Sequence, residues 1–143
     1  MGAAANPLLI LAAALSAIAA LLHVGCIAFG APWYRFFGAG ERMARLAEAG
    51  SWRPAVITSV IVAILSVCAL YALSGAGVVA PLPLLRPGLV AITAVYTLRG
   101  VAGLLYAAFG ARAGATFWWW SSAICLGFGV VHIAGLLQVW PRL

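Results

Sequence analysis

Four runs of apolar residues, each long enough to cross a lipid bilayer, dominate this sequence: residues 7–31, 54–74, 87–110 and 117–140. A hydrocarbon layer about 30 Å thick needs roughly 20 helical residues to span it. Lipid offers backbone N–H and C=O groups no partners, so a span must be a helix or part of a closed barrel, and these runs lack the alternation of barrel strands. Of the 143 residues, 66% are hydrophobic and 7% charged, where a soluble domain has about a quarter charged. The expectation is an all-α membrane protein forming one integral domain.

The links between runs organise the spans. SGAGVVAPLPLLR and GARAGAT are short and turn-rich, which predicts antiparallel neighbours in an up-down-up-down bundle. The first link, APWYRFFGAGERMARLAEAGSWR, is longer and holds both acids of the chain, Glu41 and Glu48, with half of its eight arginines. Within it, residues 40–49 read as a short amphipathic or re-entrant helix between two glycines, with Glu41 and Arg45 paired one turn apart. Arg35, Arg42, Arg45, Arg53 and Arg112 fall on the side of the first and third links, against Arg86 and Arg142 on the other. The positive-inside rule then puts both termini on the non-cytoplasmic side. Trp33, Tyr34, Trp52 and the run Trp118–Trp120 mark an interfacial belt, with Trp140 at the opposite face. The first run lacks a charged leader and exceeds a signal-peptide core, so it reads as a retained span.

Ionisable residues inside the spans are the candidate functional groups. Arg99 lies near the centre of the third span, in YTLRGVAG, with an interface ~15 Å away, too far for easy snorkelling. Helical spacing puts Ile92, Tyr96, Arg99, Gly103 and Tyr106 on one face, so Tyr96 and Tyr106 are expected partners of the guanidinium, beside carbonyls, water or a bound anion. The two histidines, His23 in LLHVGCI and His132 in VVHIAGL, lie a few ångströms either side of the midplane, with Arg99 between them in depth. His23 shares a face with Ser16 and Gly30, and His132 with Ser121, Cys125, Gly129 and Gly135. A shared polar cavity follows as an expectation, with Glu41 reaching in if its helix re-enters.

Other chemistries are poorly supported. Cys26, Cys68 and Cys125 form no C-x-x-C pair and read as small hydrophobes. The +6 net charge lacks the basic stripe that follows nucleic acid, so no nucleic-acid partner is expected. No phosphate-binding loop, metalloprotease helix or serine-nucleophile motif occurs, which argues against an enzyme and against a metal centre.

The long first link with GAPWYRFFGAGERMA, and the third-span arginine in YTLRGVAG, make the chain resemble small bacterial four-helix membrane proteins of the DoxX-like type. The resemblance covers the whole architecture, implies a bacterial inner-membrane location, and carries over no catalytic residue. The functional expectation is a buried polar pocket of Arg99, His23, His132, Tyr96, Tyr106 and Glu41. It would bind or help to move a small amphiphilic or anionic ligand, such as a lipid or quinone-like molecule, without a cofactor. The alternatives are a haem protein ligated by His23 and His132, a proton- or ion-translocating homo-oligomer, and a structural subunit of a membrane complex.

Overall fold

The computed structural model describes residues 5–110 and 114–143, so Arg112 of the charge count lies outside the described residues. Among them, every regular element is a helix: α1 Pro7–Phe29, α2 Ala31–Phe36, α3 Glu41–Glu48, α4 Arg53–Ala76, α5 Leu85–Phe109 and α6 Ala115–Val139, closed by a 3₁₀ turn at Trp140–Arg142. Four of these, α1, α4, α5 and α6 with its terminal turn, are long and apolar enough to cross a membrane. The chain is therefore a multi-pass membrane protein.

Local chemistry sets the helix ends. Asn6 caps α1 by accepting the Leu9 N–H at 2.9 Å, and Pro7 occupies the first helical position, where its missing N–H costs nothing. Gly77, at φ 81, ends α4, and Pro87 lies in the first turn of α5. The four long helices begin and end within about two residues of the apolar runs, with one difference. Span one stops at Phe29 because Gly30 takes φ 70 and turns the chain, and APWYRF then forms a separate helix, α2. Trp33 of α2 packs where a Cβ on Gly25 would stand, and its ring stacks on Phe29 at 4.7 Å.

The chain divides into two compact units. The first comprises α1 up to Ser16 and everything from Cys68 onward. Its core draws on four helices: Leu9, Ala12 and Ala13 of α1, Ala72 and Ala76 of α4, Leu89 of α5, and Leu136 and Val139 of α6. Asn6 ties three of these helices together. Its N–H donates to the Ala76 carbonyl at 2.9 Å and its Nδ2 to Gln138 Oε1 at 2.7 Å. α5 and α6 run past each other in opposite directions, Gly103 beside Ser122, Gly100 beside Leu126 and Thr97 beside Gly129. Small residues allow this approach, since packing in lipid depends on close contact rather than on a hydrophobic drive. A Cβ on Gly100 would come within 2.7 Å of the Leu126 backbone nitrogen.

The second unit, Ala17–Val67, is organised by α2 and α3. Cys26, Ala31, Tyr34 and Ala44 form its core, flanked by Trp33, Phe37, Met43 and Ala47. The Tyr34 and Thr58 hydroxyls share a hydrogen bond of 3.1 Å. On the polar side, Arg35 grips both acids of the chain. It donates to Glu41 at 3.0 and 2.9 Å and to Glu48 at 2.6 and 3.1 Å, while Arg45 adds a bond to Glu41 at 3.3 Å. The expected Glu41–Arg45 pair is present, but Arg35 is the hub, and Glu41 is engaged by arginines of its own unit. These hydrogen bonds hold the Glu41 carboxyl down from 4.5 to about 2 and lower that of Glu48 as well.

Two outcomes follow. Asn6→Ala should lower unfolding stability in detergent by about 1 kcal/mol, while Asn6→Asp, which keeps the cap acceptor but loses the Nδ2 donor to Gln138, should recover only part of it. For the Arg35 clasp, a depressed carboxylate stabilises the fold above its ordinary titration range and loses that contribution as pH falls through its folded value. Amide exchange across residues 35–48 should therefore accelerate as pH drops from 4.5 toward 2, beyond the intrinsic exchange trend. Arg35→Gln should exchange fast at every pH; an unchanged profile in that variant would sink the assignment.

Candidate functional site

Arg99 is the one charged residue in the middle of a span, and its surroundings define the site. Both acids of the chain are bound to Arg35, so Arg99 is neutralised by no carboxylate. Nη1 donates to Ser122 Oγ at 3.1 Å and Nη2 to Ser121 Oγ at 3.2 Å. The guanidinium carbon lies 4.8 Å from the centre of the Trp118 ring, within cation–π range. Serine hydroxyls and an aromatic face satisfy part of a guanidinium without removing its charge.

The side chain reaches this position by leaning away from its expected direction. Helical side chains lean toward the N-terminus, yet the contacts of Arg99 all lie toward the C-terminal end of α5. The guanidinium passes alongside Gly103, where a Cβ would collide with both Arg99 Nη1 and Ser122 Oγ. This corrects the expectation of a charge fixed at mid-span: Gly103 stands six residues before Phe109, roughly 9 Å of helical rise. The absent side chain at 103 lets the arginine snorkel partway.

Beside the guanidinium is an open hollow of about 280 Å³, lined by Arg99, Ala102, Gly103, Tyr106 and Trp118. Tyr106 is 49% exposed and meets the Trp118 ring edge-on at 4.9 Å. It is a wall of the hollow, not a hydrogen-bond partner of Arg99. Guanidinium carries five N–H donors, and among the described residues two are used. The site therefore offers positive charge, unspent donors and an aromatic wall to one space.

The remaining candidates lie elsewhere. Tyr96 is buried, with its hydroxyl 3.0 Å from Ser16 Oγ and its ring against Phe128 and His132, centroids 5.4 and 5.1 Å apart. It does not bond Arg99, and Ser16, expected beside His23, is its partner instead. His132 is fully buried, and its Nδ1 donates to the Phe128 carbonyl at 2.8 Å. That bond requires the proton on Nδ1 and leaves Nε2 as an acceptor. Among the described residues, Nε2 is the buried side-chain polar atom without a partner. Ten residues of α6 separate His132 from Ser122, about 15 Å of rise. The first unit thus holds two polar tiers, Arg99 with the serines and Tyr96 with His132 and Ser16. His23 belongs to the second unit, half-buried, with Nδ1 donating to the Ala19 carbonyl at 2.7 Å.

Ser122 and the role of Trp118 were missed at the level of sequence. The signal was available: Trp118, Ser121 and Ser122 stand three and four residues apart, one face of a helix, with two adjacent hydroxyls in an otherwise apolar run. No protein-family model matches the chain, and no curated protein or solved structure matches it either.

Proposed function

We propose that this is a bacterial inner-membrane protein that binds, or helps to move, a small anionic or amphiphilic ligand at Arg99. The observation that carries the reading is an intramembrane cation with no acid partner, held by two hydroxyls and opening onto an aromatic hollow. Burying a charge in lipid costs ~2.5–3.5 kcal/mol or more, and a bound anion would offset part of that cost. Binding comes ahead of catalysis because the hollow presents a cation and aromatic rings, without a nucleophile–base pair. Both termini are assigned to the non-cytoplasmic side from the arginine asymmetry, and the spans to an up-down-up-down order from the short second and third links.

The haem alternative draws support from one observation. His23 and His132 each donate Nδ1–H to the carbonyl four residues back, leaving Nε2 as the acceptor, the arrangement that orients metal-bound imidazoles. Against it, Nε2 of His132 is closed off by packing, so iron would have to displace the side chains around it.

The test compares dodecanoate and dodecyl phosphate with dodecanol on the purified full chain in maltoside detergent. At least one anion should raise the melting temperature more than the alcohol does, and Arg99→Leu should abolish the difference. A charged hydrogen-bond set contributes ~1.5–3 kcal/mol, or about 10- to 100-fold in affinity. The variant should still fold, since freed serine hydroxyls can bond carbonyls of their own helix. Equal responses to anions and alcohol in the unmodified protein would overturn the reading.

A further inference from the structure

We infer that the ligand at Arg99 is a single-chain amphiphile with a carboxylate head, a long-chain fatty acid, taken from within the bilayer. This rests on the reading of Arg99 as an anion-binding site and assigns its ligand class.

Charge comes first. The lining of the hollow contains one cation, Arg99, and neither acid, which matches a monoanion and leaves a dianionic phosphate half-neutralised. Geometry comes next. Ser122 takes one N–H of Nη1 and Ser121 one of Nη2, so among the described residues the Nε–H and one N–H on each Nη have no hydrogen-bond partner. A guanidinium edge with two parallel N–H groups fits the two oxygens of a planar carboxylate.

Size restricts the head further. At about 280 Å³ the hollow is at or below the lower end of small-molecule sites. It accepts a carboxylate with its first methylenes, and the rest of an amphiphile has to lie outside. The surface for that remainder is present. Leu98, Val101 and Leu105 are exposed large apolar residues at 68%, 43% and 55%, and with Ala102 they form one stripe of α5 at helical spacing. Ala102 belongs both to this stripe and to the hollow. A chain lying along the stripe places its carboxylate beside Arg99, and since the stripe is in a span, the approach is from lipid. A glycerophosphodiester head would bring two chains to a single apolar stripe and a bulkier polar group to a hollow of about 280 Å³.

The experiment uses the full chain in maltoside detergent with hexadecanoate, methyl hexadecanoate, hexadecyl phosphate and phosphatidylglycerol, read by thermal shift and competition binding. Hexadecanoate should bind at least about tenfold more tightly than its methyl ester, the loss of one charged contact, and more tightly than either phosphate-headed lipid. Arg99→Leu should remove the preference over the ester. Ala102→Trp, which fills the hollow and leaves Arg99 in place, should weaken hexadecanoate by a comparable factor, with circular dichroism and the unliganded melt establishing that it folds. If a phosphate-headed lipid binds in an Arg99-dependent way and hexadecanoate behaves like its ester, the fatty-acid assignment is wrong and the anion site stands. If no anion shows Arg99 dependence, the site itself is wrong.

Discussion

A guanidinium carried on a membrane-spanning helix without a carboxylate partner is the constraint around which the first unit is arranged. The chain has only two acids, and Arg35 holds both. Arg99 must be satisfied by neutral groups, and three features of the sequence make that feasible. Gly103 removes the side chain that would block its path, adjacent serines on α6 supply two acceptors, and Trp118 supplies an aromatic face. These features depend on one another. The serines reach the guanidinium only because α5 and α6 approach closely at Gly100 and Gly103, and that approach is tolerated because interfaces in lipid are built from small residues.

The same economy explains where polarity is absent. Thr93 and Thr97 return their hydroxyls to carbonyls four residues back, so they add no unmet donor to the α5 surface. Buried histidine is the exception. With its Nδ1 proton committed to the Phe128 carbonyl, His132 keeps an acceptor in a place where leaving one unpaired costs ~1–3 kcal/mol. Tyr96, whose ring lies against that imidazole, directs its hydroxyl to Ser16 instead. The first unit therefore carries its two polar costs at separate heights on α6, one exposed to a hollow and one sealed.

The spans were legible in the sequence because lipid imposes them: a run of some twenty apolar residues has few alternatives to a helix. Arg99 was legible for the same reason, as an outlier in such a run. Its partners were not. Tyr96 and Tyr106 share its helical face, but hydrogen bonding is decided by the facing helix and by which way a long side chain leans, and neither is written in the spacing along α5. The glycine at 103 was noted as part of the face; that it would redirect the guanidinium by a turn depends on the register between α5 and α6. Likewise Arg35 competes with Arg45 for Glu41 only once Gly30 turns the chain and sets α2 against α3. A pattern read along one helix sees the i, i+4 pair and misses the arginine brought in by a turn.

The division of labour among the arginines bears on what the site can do. Arg35 is exposed and saturated by two carboxylates, where water would have met its needs in any case, so the clasp fixes the arrangement of α2 and α3 more than it adds stability. Arg99, in a span, has no acid partner. Had Glu41 or Glu48 been placed in the membrane to neutralise it, the guanidinium would be closed to any other anion. The distribution of two acids over a chain with eight cations thus leaves Arg99, among the described residues, with hydroxyl and aromatic partners alone, beside an open hollow lined by Tyr106 and Trp118.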